Sequence, residues 1–144
     1  MIVSFLNQKG GVGKSTLSVN VAAYLAKKPR KVLLIDADTQ GTVAAWAALR
    51  EERKFQVVSM ARDNMARDAM AMAVDYQDVI IDGPPGAGKI TRAAIIASDV
   101  VLVPIELQAV AQGGVCGFAK TGEYGLGPRC PRNGRDERLP DSEK

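Results

Sequence analysis

The sequence contains no histidine. That absence excludes imidazole acid–base chemistry, Ser-His-Asp triads and histidine-ligated zinc. Cysteine is scarce: Cys116 and Cys130 stand in no CxxC or metal spacing, so free thiols are expected rather than a disulfide. Aromatic residues are few, at 5%, with Trp46 the lone tryptophan. No apolar run is long enough to span a bilayer. The first one, Ile2–Leu6, is followed at once by Lys9 and glycines, which is no signal-peptide pattern. A cytoplasmic protein with no membrane partner is expected. Charge of neither sign dominates. The net +3 permits contact with nucleic acid or an anionic surface without arguing strongly for either.

What is present suits one soluble domain with a real core: 144 residues, 47% hydrophobic and 24% charged. Near its start stands Asn7-Gln8-Lys9-Gly10-Gly11-Val12-Gly13-Lys14-Ser15-Thr16. An apolar run leads in and a helical pattern, Leu17 to Leu25, leads out. Strand, glycine-rich loop and helix in that order make a phosphate cradle. Glycines let backbone N–H groups turn inward, and the helix N-terminus adds its own unpaired N–H groups. Lys14 can reach the β- and γ-phosphates, and the Ser15 hydroxyl can ligate Mg²⁺. The usual template G-x-x-x-x-G-K-[ST] does not fit, because position 8 is Gln8.

Further along, strands alternate with helices. Helix one covers about residues 15–27, with Leu17, Val21, Ala22 and Leu25 as its expected apolar face. Val32–Ile35 is a continuous apolar run, as in a strand buried on both faces. It delivers Asp36-Ala37-Asp38 to its carboxyl end, where open α/β sheets bind ligands. Either carboxylate can orient a water or a hydrated Mg²⁺, or cap the next helix. That helix covers about 42–53, with Trp46 read as packing. A strand at 55–59 and a helix at about 62–74 come next, the latter with Met65, Ala69, Met72 and Ala73 facing the sheet. Val79-Ile80-Ile81 ends in Asp82, the Walker B arrangement in which a carboxylate holds Mg²⁺ through water. Gly83–Lys89 spaces like a second cradle. However, Ile90 replaces the metal-ligating hydroxyl and two prolines remove N–H groups, so this stretch reads as a flexible, state-sensing loop. A helix at 91–97 and a strand at 100–105 complete the pattern. The fold class is α/β: a mostly parallel, doubly wound sheet with helices on both faces.

Three segments together resemble one family. Lys9-Gly10-Gly11-Val12-Gly13-Lys14-Ser15 is similar to the deviant Walker A motif of the ParA/MinD family of P-loop ATPases. Asp36-Ala37-Asp38-Thr39-Gln40-Gly41 resembles its D-x-D-P-Q-G element, with Thr39 in place of proline. Ile80-Ile81-Asp82-Gly83-Pro84-Pro85 resembles its I-I-D-x-P-P. The resemblance implies a P-loop NTPase that binds ATP or ADP with Mg²⁺ through Lys9, Gly10, Gly11, Val12, Gly13, Lys14, Ser15 and Thr16. It implies catalytic roles for Lys9, which reaches phosphate across an ATP-dependent homodimer, for Lys14, and for Asp38, which positions the attacking water. Ser15 would ligate the metal and Asp82 would hold it through water, with Asp36 a further candidate through water. A centromere-binding ParB-type protein and non-specific DNA would be the partners, in plasmid or chromosome segregation.

The alternatives are a non-hydrolysing nucleotide-binding and dimerisation module, or a MinD-like cell-division-site ATPase. The last needs a C-terminal amphipathic helix that the text does not show. The resemblance covers residues 1–105, the expected ATPase domain. After Ile105 the text turns glycine- and proline-rich with mixed charges, and 106–144 is expected to be an irregular tail. An incomplete or aberrant C-terminal part is the corresponding expectation. The family draws adenine contacts, dimer surface and its DNA-binding basic patch partly from such later sequence.

Overall fold

In the computed structural model the described residues are 1–52 and 54–105. Expectations placed on 106–144, including the tail, its arginines and both cysteines, lie outside them. The described part is a β/α alternation: β1 Ile2–Asn7, α1 Lys14–Leu25, β2 Val32–Asp36, α2 Thr42–Ala48, β3 Gln56–Ser59, α3 Met65–Met72, β4 Asp78–Pro85, α4 Lys89–Ala97 and β5 Val100–Leu102. The five strands form one all-parallel sheet in the order β3-β2-β4-β1-β5.

Alternation along the strands divides the core into two layers. Ile2 and Leu6 of β1, Leu33 and Ile35 of β2, and Val79 and Ile81 of β4 face α3 and α4, packing with Met65, Ala69 and Ala94. Val3, Phe5, Val32, Leu34 and Ile80 face α1 and α2, packing with Ala22 and Val43. A strand covered on both faces must be apolar throughout, and β1 and β2 are buried at every position. Ser4 breaks the apolar run. Its hydroxyl is satisfied by Ser98 Oγ of the α4 C-cap.

Helix α1 differs from its expected face. Its buried residues are Lys14, Ser18 and Ala22, while Leu17 is 43% exposed. Apolar periodicity puts Leu17 inside because it counts hydrophobicity and not size. The helix lies close to the sheet, so its contact stripe at i, i+4, i+8 carries small residues. Val21 and Leu25 flank that stripe, half-buried. The methionine helix behaves as read: Met65 and Ala69 are buried, with Met72 and Ala73 packed beside them.

The second correction concerns Gly83–Lys89, expected as a loop. Strand β4 continues through Pro84 and Pro85, and α4 starts at Lys89. The prolines are tolerated because β4 has outrun the regular ladder there. Pairing with β1 shifts register after Phe5, and Pro85 pairs only with Asn7. Gly83 sits at that shift. A Cβ built on it would lie 2.1 Å from Leu6 Cδ2 and 3.2 Å from the Phe5 carbonyl oxygen. Leu6 is fully buried and cannot swing clear. Gly83→Ala is expected to destabilise the protein by about 2 kcal/mol, the cost of overpacking a filled core. Urea denaturation followed by circular dichroism would measure it, with an unchanged midpoint arguing against this close approach.

Candidate functional site

The site is built at the carboxyl ends of β1, β2 and β4, which the strand order places side by side. Asn7 ends β1 and braces the start of the loop. Its Oδ1 accepts the Lys9 N–H at 2.9 Å and its Nδ2 donates to the Pro104 carbonyl at 2.6 Å. The chain then turns through Gly11 (φ 75°) and Gly13 (φ 87°) into α1. Both lie in the left-handed region, where a Cβ is strained, so these two glycines are required by backbone conformation. The space around them is open, with nothing within 4 Å of a built Cβ.

Lys14 opens α1 yet is 7% exposed. Its Nζ donates to the Lys9 carbonyl at 3.1 Å. That bond occupies one of three ammonium donors, leaving two for an anion in the loop. Lys9 and Thr16 are exposed, and Ser15 is half-buried.

Asp82 on β4 lies beside Asp36 on β2, in register. Both are fully buried. Their environments differ. Asp36 Oδ2 accepts the Ala44 N–H at 2.8 Å and its Oδ1 accepts the Asp38 N–H at 3.2 Å. It therefore caps α2, whose N-cap Gly41 (φ 63°) offers no side chain. Of the two readings left open for Asp36, capping is the one with bonds behind it. Asp38 is half-buried in the turn, with Oδ1 accepting the Gln40 N–H at 3.0 Å.

Asp82 has no such support. Neither carboxylate oxygen has a hydrogen-bond partner. Burial pushes its pKa up to about 6, with the neighbouring Asp36 charge adding to the rise. The Ser15 and Ser18 hydroxyls face it and, with the Lys14 charge, pull the value back. Neither hydroxyl completes a bond: Ser18 Oγ donates to the Ser15 carbonyl at 3.0 Å instead. A buried carboxylate aimed at the Ser15 hydroxyl, with its lone pairs open, fits the outer shell of a hydrated divalent cation. No group of three or more acidic or thiol side chains forms a cage among the described residues. That donor set suits Mg²⁺, which keeps its waters and takes phosphate oxygens.

Lys9, Gly10, Gly11, Val12 and Gly13 thus form the loop and Lys14, Ser15 and Thr16 the first turn of α1; Asp82 lies by Ser15 and Lys14, Asp36 is in register beside it, and Asp38 follows in the turn after β2. Two contributors were missed from sequence. Asn7 carried no signal beyond its place at the strand end. Ser18 was detectable as the residue one helical turn after Lys14, on the same face.

A parallel sheet with a glycine-turned phosphate loop after its first strand, a buried lysine and a Walker B aspartate defines the P-loop NTPase class. Residues 1–69 and 46–123 match the family model described as AAA domain. The chain is 32% identical over 160 residues to the chromosome-partitioning ATPase Soj of Thermus thermophilus, covering 88% of this chain and 64% of that protein. It is 30% identical over 161 residues to the chromosome partitioning protein ParA of Myxococcus xanthus, covering 83% and 57%. The fold matches a putative plasmid partition protein of Borrelia burgdorferi solved with AMPPNP, at TM-score 0.65 and 22% identity, over 76% of this chain and 64% of that one. The chain belongs to the ParA/MinD family of P-loop ATPases. It spans between about half and two-thirds of the length of these curated relatives. No helix among the described residues is long and apolar enough to cross a membrane.

The raised Asp82 pKa has a defined sign. The folded state holds this proton up to about pH 6, whereas an unfolded aspartate releases it near 3.8. The group therefore stabilises the nucleotide-free fold relatively at low pH, and that advantage is lost as pH rises through about 4 to 6. The swing is at most about 3 kcal/mol. Thermal melts of nucleotide- and metal-free protein should show Asp82→Asn more stable than wild type above about pH 7, with the gap closing near pH 4. A constant gap across that range would rule out a perturbed Asp82.

Proposed function

We propose that this chain binds Mg-ATP at the loop 9–16 and hydrolyses it. The observation that carries the reading is Asp82, buried and without a partner, facing the residue that follows Lys14 in the cradle. Such a carboxylate is costly unless a bound ligand completes it. The N–H groups of residues 10–16 and the two remaining donors of Lys14 would hold the phosphates. Ser15 and, through water, Asp82 would hold Mg²⁺, which supplies charge neutralisation at the phosphates when bound. Asp38 sits in the turn at the rim, where Oδ1 takes the Gln40 N–H, and is assigned the water-positioning role.

The family relationship supports a further step. Exposed Lys9 would reach the phosphates of a second copy, so that ATP drives a homodimer. The relatives' role in chromosome partition supports function in segregation, with a ParB-type centromere-binding partner and non-specific DNA. A cytoplasmic, nucleoid-associated location accords with that role.

Hydrolysis assays with Mg²⁺ separate these assignments. Lys14→Ala should weaken ATP binding by about a hundredfold or more, since a charge-assisted phosphate contact is lost in a buried site. Asp38→Ala should keep binding and lose about a hundredfold in turnover, as for removal of a water-orienting group. Binding without turnover in wild type would reduce the protein to a nucleotide-holding module.

A further inference from the structure

Strand β3 is an outer strand of the sheet, and two hollows adjoin it. On the α1/α2 face is a cavity of about 460 Å³. Its floor is Trp46, Phe55, Ala47 and Val57, with Lys27 and Arg50 at the rim. Trp46 and Phe55 stack at 6.4 Å, and the Arg50 guanidinium lies 4.5 Å above the indole. A second hollow of about 830 Å³ wraps the start of the same edge, from Lys31 and Val32 past Phe55 and Val57 to Val58, Asp75 and Tyr76. Lys54, Phe55 and Val57 border both hollows.

The backbone of β3 is half used. The Met60 N–H donates to the Asp36 carbonyl at 2.8 Å, so the alternation of a parallel ladder turns the N–H and C=O of Val57 and Ser59 to the open side. Neither residue's backbone has a partner there among the described residues. Successive side chains of a strand laid along this edge would point alternately to the two faces, and one set would reach the Trp46–Phe55 hollow on the α1/α2 face. Lys27, Lys31 and Lys54 make no ion pair among the described residues, and with Arg50 they outnumber Glu51, Glu52 and Asp75, the carboxylates that border the same hollows.

We propose that β3 is a docking edge for an extended, acidic segment of a partner protein, which adds a sixth strand. An aromatic or large aliphatic side chain would enter the Trp46–Phe55 hollow, with carboxylates against Lys27, Lys31 and Lys54. Docking here uses the edge of the sheet remote from β1 and needs neither the cradle nor Asp82.

Trp46 is the lone tryptophan and borders this hollow; it also lines a smaller one beside Ser15 and Thr16, so the titration uses nucleotide-free protein. The probe is a synthetic peptide of about eight residues, alternating Phe or Val with Asp or Glu, enough to cover β3 and its flanks. Titrated into the full chain, it should shift Trp46 emission saturably. The shift should weaken with salt, and a lysine-for-acid version should bind about tenfold more weakly. Ser59→Pro removes an outward N–H, which an edge strand tolerates, and should abolish binding while leaving the melting temperature and ATP binding unchanged. A second variant, Lys54→Glu, should reverse the preference towards the basic peptide. Absent or non-saturable shifts, equal binding of both peptides, or full binding by a folded Ser59→Pro variant would each overturn the proposal. So would a concentration-dependent dimer that Ser59→Pro dissolves, because the edge would then serve a second copy of this chain.

Discussion

Asp82 is held with both oxygens unpaired at the centre of a parallel sheet, and the surrounding architecture is arranged about that carboxylate. A charged carboxylate in such a place costs several kcal/mol unless something completes it. The surrounding protein does not relieve it: β1 and β2 flank it, α1 covers it, and no backbone or side-chain group bonds either oxygen. Nor does a counter-ion neutralise it, since Lys14 donates to the Lys9 carbonyl and offers Asp82 only its field. The partner aspartate one strand away has the opposite fate. Asp36 spends its oxygens on the start of α2 and is thereby a structural anion. Two like residues in register divide two tasks by environment alone.

The approach of α1 to the sheet is what makes this burial possible. Ser18 and Ala22 are small enough to let the helix sit close, and Lys14 shares their stripe. A larger residue at Ser18 would lift the helix and admit solvent to Asp82. The same closeness fixes the helix start and so the direction in which the loop's N–H groups point. At the other side of the site, the Gly83 contact with Leu6 holds β4 tightly against β1 just past Asp82.

Most of this was legible in the residues. The continuous apolar runs at 2–6, 32–35 and 79–81 marked strands buried on both faces, and each was followed by a motif of defined chemistry. Periodicity failed where size outweighed hydrophobicity, as at Leu17 and Ser18. Proline content misled at Pro84 and Pro85, because the rule against strand proline presumes a complete ladder and β4 had left its ladder behind. The helix ends came out shorter than expected, with α2 closing at Ala48 and α3 at Met72. The sequence marked Asp82 as the Walker B carboxylate but left Asp36 open between capping and metal binding. Their separation depends on which backbone N–H groups the fold brings within reach, and that is a property of tertiary structure.

Strand β1 pairs with β4 and β5, both of which come late in the chain. Until Ile80 has left the ribosome, Val3 has no ladder partner, although β2 and β3 can already pair. Strand β1 is thus made well before its partners and is among the last to be ordered, an apolar strand without a ladder until β4 follows. Such non-local pairing slows folding and leaves the emerging strand open to wrong partners. The phosphate loop is attached to that strand, so nucleotide competence arrives only when the sheet closes.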